Sequence, residues 1–285
     1  MSEPTPRILV TGAAGTLGQF ILSELHRQKS VVLATDQTDK PDSLFPIHVA
    51  HLLDLTEVRK LMPGIDVVVH LANHAYQRGN EVTFNENVAM NMNVFQAAAD
   101  AGAKKILFAS SVQVIGSEGG EVPVDRSPRF TSFPLDGETA PFPTNTYALS
   151  KQVGETQLRY FATCYGIEGI AIRFPGMHRP QHQVIQANWK EGAGTIRQAF
   201  SNLTYEDAAR LVAAVIRTPL PGFRVYFPNA AQNRNARPTS VLLREFYPGI
   251  PCRRPLFDED SLVDTSAITR DTGWTPQDRY RVEGS

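Results

Sequence analysis

Cysteine is scarce in this chain: Cys164 and Cys252 are the only two in 285 residues. Two thiols make neither a disulfide framework nor a four-cysteine zinc site. His74, His178 and His182 are scattered, without the paired helical spacing of a metal site, so no metal is expected. An excess of one charge is lacking too: 28 Lys and Arg balance 29 Asp and Glu to a net −1. That balance argues against a nucleic acid held by a bulk basic field, and says nothing of a single anionic group on a substrate. No apolar run approaches the roughly 18 residues of a membrane helix. The opening MSEPTPRILV has no charged segment followed by an apolar one. The expectation is a soluble, cytoplasmic protein with no membrane partner and no targeting segment.

What is present fits a globular chain. Apolar residues make up 42%, an ordinary share, and the length allows one large domain or two small ones. In the first half, short apolar runs alternate with helical patterns. Strands are predicted at Arg7–Thr11, Ser30–Asp36, Ile47–Leu53, Asp66–Leu71, Lys105–Ser110 and Ile167–Phe174. Helices are predicted at Gly15–Lys29, Glu57–Met62, Glu81–Ala101 and Tyr147–Tyr165. Near-continuous apolar strands separated by helices imply a doubly wound α/β fold, a parallel sheet covered on both faces. Ser117–Asn145 breaks the rhythm with Gly119, Gly120 and several prolines, and reads as a long functional or mobile loop. After Pro175 the pattern is irregular. A helix is predicted at Thr204–Arg217 with Thr204 as N-cap, then a strand at Phe223–Phe227.

The sharpest motif is Thr11-Gly12-Ala13-Ala14-Gly15-Thr16-Leu17-Gly18, at a strand-to-helix turn. Gly12 allows the turn, Gly15 lets backbone approach a pyrophosphate, and Gly18 lets helix and strand pack closely. The helix N-terminus offers free N–H groups to the anion. The second strand ends at Asp36, whose carboxylate can accept both ribose hydroxyls and repel a 2′-phosphate. No Arg or Lys follows before Lys40, so NAD is favoured over NADP. Asp54 stands where an adenine amino group could be met, or caps the helix that follows. Leu71 and Ala72 end the fourth strand beside the phosphate loop. His70 reads as a packed strand residue, and Asn87 as a bridge between the fourth and fifth strands.

Tyr147 and Lys151 lie four apart on a helix and so share one face. A phenol has an ordinary pKa of about 10. A neighbouring ammonium favours its phenolate, so the pair suits proton transfer at a substrate hydroxyl, with Lys151 also holding ribose. Ser110 and Ser111 end the fifth strand, at the sheet edge where ligands bind.

With these residues in place, the chain resembles an extended short-chain dehydrogenase/reductase of the NAD-dependent epimerase/dehydratase type. Thr11–Gly18 matches TGxxGxxG. Asp54-Leu55 matches the adenine-contacting Asp-Leu. Asn87-Val88 and Asn93-Val94 match a helix pattern, and Ser110-Ser111-Val112-Gln113-Val114-Ile115-Gly116 resembles S-S-x-x-V-Y-G. The resemblance makes Ser111 catalytic beside Tyr147 and Lys151. It also implies a dimer through the Tyr147 helix. Arg173 matches the Arg ending the sixth strand, and Gly273-Trp274-Thr275-Pro276 a C-terminal stretch. There are departures. Gly176 replaces an Asn common in nucleotide-sugar members, Ile115 replaces a Tyr, and the C-terminal part is short for that group. Uronate dehydrogenases form a compact branch that Phe200–Leu211 loosely resembles, although their Ser-Asn-His after the fifth strand is here Ser111-Val112-Gln113.

The combined expectation is a Rossmann domain over 1–175 binding NAD, with a small substrate region over 176–285 interleaved with it. Cofactor contacts are expected from Gly12, Ala14, Gly15, Thr16, Leu17, Gly18, Asp36, Asp54, Leu55, Leu71, Ala72, Asn87, Tyr147 and Lys151. Ser111, Gln113 and Arg173 are the expected substrate contacts, with a loop role for Gln113 and an ion pair for Arg173 as alternatives. The expected reaction is hydride transfer from a carbinol of a sugar or sugar acid. A nucleotide-sugar epimerase or dehydratase, and a non-catalytic NAD-binding module, are the alternatives.

Overall fold

A computed structural model describes residues 5–74, 80–116, 130–179, 184–185, 196–235, 237–278 and 281–282. Much of the Ser117–Asn145 loop and of the segment after His178 lies outside these residues. Seven parallel strands form the central sheet in the order β10-β6-β5-β4-β1-β2-β3. They are β1 (Arg7–Thr11), β2 (Val31–Asp36), β3 (Ile47–Val49), β4 (Val67–His70), β5 (Lys105–Ser111), β6 (Glu168–Phe174) and β10 (Phe223–Tyr226). The shorter β7 (Met177–His178) pairs with β9 (Leu203–Thr204), and β8 (Val184–Ile185) with β11 (Arg281–Val282). Chain direction across the sheet reverses between β1 and β4, where open α/β sheets bind ligands beyond their carboxyl ends.

Both faces are covered. On one, α1 (Thr16–Arg27) packs against α5 (Tyr205–Arg217), with Phe20 and Tyr205 stacked 5.2 Å apart. Ile21, Leu22 and Leu25 meet Leu211, Val212 and Val215 there. On the other face lie α2 (Leu55–Leu61), α3 (Glu81–Asp100) and α4 (Thr146–Tyr165), packed on Leu9, Val68, Ile106 and Phe108. A third cluster, including Phe133, Phe200, Leu242 and Leu262, builds the C-terminal lobe with α6 (Thr239–Phe246), while α7 (Ser266–Thr272) buries Ile268 in the core of the α1–α5 face.

Local chemistry sets the helix ends. Asn80 and Thr83 form a reciprocal capping box on α3. The Asn145 side chain accepts from the Ala148 N–H at 2.7 Å to start α4. Gly166 ends α4 in the left-handed region at φ 70°. Thr204 caps α5, as its position in the sequence suggests.

A cut at residue 175 does not separate two bodies. After Pro175 the chain supplies α5 to one face of the sheet and β10 to its edge. Gly137 lies against β10 so closely that a Cβ there would sit on the Val225 carbonyl oxygen. Lys105 ties β5 to the end of α5, its buried ammonium donating to the carbonyls of Val215, Ile216 and Thr218. No helix among the described residues is long and apolar enough to cross a membrane.

Candidate active site

A cleft of about 410 Å³ opens at the carboxyl ends of β1 and β4. Gly12, Gly15, Thr16, Leu17 and Gly18 form one wall. Gly12 has φ +68°, and a Cβ on it would lie 2.7 Å from the Ala72 nitrogen. A Cβ on Gly18 would lie 2.5 Å from the Gly12 oxygen, so helix and turn touch only because both residues are glycine. No side chain caps α1, whose first turn lines the cleft and has N–H groups without an intrahelical partner. Asp36 stands at the far end. Its carboxylate accepts the Ala14 N–H at 3.0 Å, which braces the loop from behind.

At the other end lie Ser111, Tyr147 and Lys151, with Leu71 and Ala72 between the two ends. Ser111 Oγ accepts the Gln113 N–H at 3.1 Å. Its own O–H is thereby left to donate, and Tyr147 lines the same cleft. Burial raises the Tyr147 phenol above its ordinary pKa, and the Ser111 hydrogen bond acts the other way. Lys151 Nζ lies 5.7 Å from the Tyr147 ring centroid and donates to the Ala109 carbonyl at 2.8 Å. Burial pushes it down to about 7. The group that lowers the Tyr147 pKa in this arrangement is therefore Ser111, where the sequence pointed to Lys151.

His70 behind them is a packed strand residue. Its Nδ1 lies 2.7 Å from Thr11 Oγ1 and its Nε2 3.0 Å from Asn91 Oδ1. Burial, and then the Lys151 charge, hold it down to about 3.

Several expected residues stand outside the cleft wall. Asp54, exposed to solvent, uses its carboxylate as the N-cap of α2, accepting from Thr56 and Glu57, and Leu55 begins that helix. Leu52 and Leu53 line the cleft in their place. Asn87 does not bridge β4 and β5. Its side chain accepts the His74 N–H at 2.8 Å and donates to the His74 carbonyl at 3.4 Å. The residue that reaches β4 from α3 is Asn91. Gln113 accepts from Asn145 at 3.0 Å, beside the start of α4. Arg173 is held in a buried ion pair, with Nε and Nη2 each 2.9 Å from a Glu155 oxygen and Nη1 2.7 Å from the Thr139 carbonyl. It borders a separate cavity with Gly137, Gln152 and Arg159. The sequence reading missed Gln37, His51, Asn73, Phe174, Pro175 and Met177, all on the cleft wall. It weighed His74 only as a metal ligand, and His74 also lines the cleft. Their position just after strand ends was the available signal. Among the described residues no cluster of three metal-ligating side chains forms.

The uronate dehydrogenase of Pseudomonas syringae pv. tomato is 27% identical over 79% of this chain and 74% of its own. The NAD-dependent glucose-6-phosphate dehydrogenase of Haloferax volcanii is 31% identical over 66% of this chain and 76% of its own. Among solved structures, a variant of the uronate dehydrogenase from Agrobacterium tumefaciens, complexed with NAD, superposes with a TM-score of 0.67 at 22% identity, over 96% of this chain and 85% of that one. The UDP-glucose 4-epimerase of Thermotoga maritima does so with a TM-score of 0.67 at 18% identity, over 95% and 94%. The sequence model of the NAD dependent epimerase/dehydratase family matches residues 8–186, more than half of the chain, and the protein belongs to that family.

Proposed function

We propose that the protein is an NAD-dependent dehydrogenase that oxidises a carbinol of a sugar or sugar acid. The observation that carries this reading is the gathering of Ser111, Tyr147 and Lys151 in the same cleft as an uncapped helix N-terminus and Asp36. The donor set fits NAD. Free N–H groups at the start of α1 suit a pyrophosphate, Asp36 suits a ribose diol, and a Cβ at Gly12 or Gly18 would collide with the backbone that shapes the loop. When bound, NAD supplies the hydride acceptor. Tyr147 takes the carbinol proton on its phenol oxygen, and Ser111 holds the same substrate oxygen. Lys151 sits where it can hold the nicotinamide ribose.

Tyr147→Phe is expected to bind NAD as the parent does and to lose turnover by about 10²–10⁴-fold, the usual contribution of a general acid–base group. NADH absorbance with a panel of aldoses, uronates and aldose phosphates is the assay, and turnover retained by the variant would sink the assignment. Resemblance to the Thermotoga epimerase supports a second reading, a nucleotide-sugar epimerase. Product formed with no net NADH favours that one. Tight NAD binding with no turnover of any compound favours a non-catalytic module.

A further inference from the structure

His74 lines the cleft and has no task in the mechanism above. It follows the end of β4 and lines the same cleft as Ser111 and Tyr147. Two consecutive residues of α3 hold it. Asn87 clamps its backbone N–H and carbonyl. Glu86 Oε2 lies 3.5 Å from its Nε2, and the side chain remains 31% exposed. A loop residue that merely connects β4 to α3 needs neither restraint. With Nε2–H turned to the Glu86 carboxylate, the neutral ring has Nδ1 left as an acceptor. An acceptor recognises an O–H group, and the reacting oxygen is already served by Ser111 and Tyr147.

We infer that His74, oriented by Glu86 and Asn87, binds the substrate by accepting a hydrogen bond from a hydroxyl next to the reacting carbinol. The substrate is thereby a polyhydroxy compound with a free neighbouring hydroxyl. The inference rests on the dehydrogenase reading and adds a residue that selects among its substrates.

The test is steady-state kinetics at saturating NAD with whichever panel sugar the wild type oxidises best. His74→Leu is expected to raise KM about tenfold, one hydrogen bond's worth of affinity, with kcat within about threefold and the Kd of NAD unchanged. His74→Gln keeps an acceptor oxygen and should recover part of the loss. Glu86→Gln should fall between His74→Leu and the parent. An unchanged KM in His74→Leu overturns the inference. So does a Kd for NAD that rises with KM, or a Gln variant no better than Leu. If His74→Leu fails to fold, monodeoxy analogues read the same contact on the wild type and His74→Gln. Removal of one hydroxyl should cost the wild type about tenfold in KM and His74→Gln less, and the absence of any such position overturns the inference. A Tyr147→Phe enzyme that keeps turnover, or a wild type that oxidises nothing in the panel, overturns the dehydrogenase reading and this inference together. Loss of turnover in Tyr147→Phe with a normal KM in His74→Leu overturns the inference alone.

Discussion

Arg173→Met tests whether the arginine ending β6 works on the substrate or on the fold. In the structure it makes a bidentate pair with Glu155, and the two side chains are 3% and 8% exposed. Its third contact is the Thr139 carbonyl. Ser110 also donates to Glu155, at 2.6 Å, so Glu155 sits at the centre of a closed network. Methionine in place of Arg173 leaves a buried carboxylate with one hydroxyl donor and strands the Thr139 carbonyl. Breaking a buried pair from one side costs about 3–5 kcal/mol. At roughly 2–4 °C per kcal/mol for a chain of this size, the melting temperature should fall by about 10 °C. The double variant Arg173→Met/Glu155→Met removes both charges and should recover most of that loss, because apolar replacements of similar volume are often neutral. Thermal melts of parent, single and double variants measure the first claim. KM for the oxidised sugar, below the melting range, measures the second, and it should stay within about twofold. A single variant that melts within about 2 °C of the parent, with a KM raised tenfold or more, would refute the structural assignment of Arg173.

Two further outcomes follow from packing and burial. Gly137→Ala should lower the melting temperature with little change in NAD affinity, because the added carbon meets the Val225 carbonyl and pushes the loop off β10. A variant as stable as the parent would show that the loop yields without cost. His70, held down to about 3 in the fold, takes a proton in the unfolded chain near pH 6.5. The unfolded state therefore binds more protons between those values, and the stability tied to neutral His70 is present above pH 6.5 and is lost as pH falls towards 3. His70→Gln should flatten this part of a plot of urea midpoint against pH. Parallel curves for parent and variant would refute the point.

Some of this was legible in the sequence because the requirement lies in the residue type. Gly12 and Gly18 mark a turn and a close approach that no side chain tolerates, and Tyr147 and Lys151 are brought together by the helical repeat alone. Arg173 and Asn87 were harder. Each sits where the family motif puts it, but its partner is remote or in a loop: Glu155 on another element for Arg173, the His74 backbone for Asn87. Residue type and spacing are the same whether such a side chain faces a ligand or its own fold. Asp54 shows the same ambiguity, since a carboxylate before a helix suits a cap and an amino group equally. The predicted strand over Ile47–Leu53 shortens to Ile47–Val49 because β3 is an edge strand with β2 as its one neighbour, and Leu52 and Leu53 turn along the cleft. The sheet that β10 joins was not readable, because a four-residue strand carries no mark of its partner.

The pairing of α1 with α5 has a consequence for the order in which the protein is made. The helix carrying the phosphate loop leaves the ribosome first, but the apolar stripe of Ile21 and Leu25 is covered by Leu211 and Val215, roughly 190 residues later. At about 5–20 residues per second, that interval is on the order of 10–40 s. During it the first half of the sheet can pair, and the α2–α3–α4 face can close, while the other face is covered by α1 alone. The nascent chain thus exposes an adhesive surface for tens of seconds, and it is sealed only by the part of the sequence that a domain boundary at 175 would have cut away.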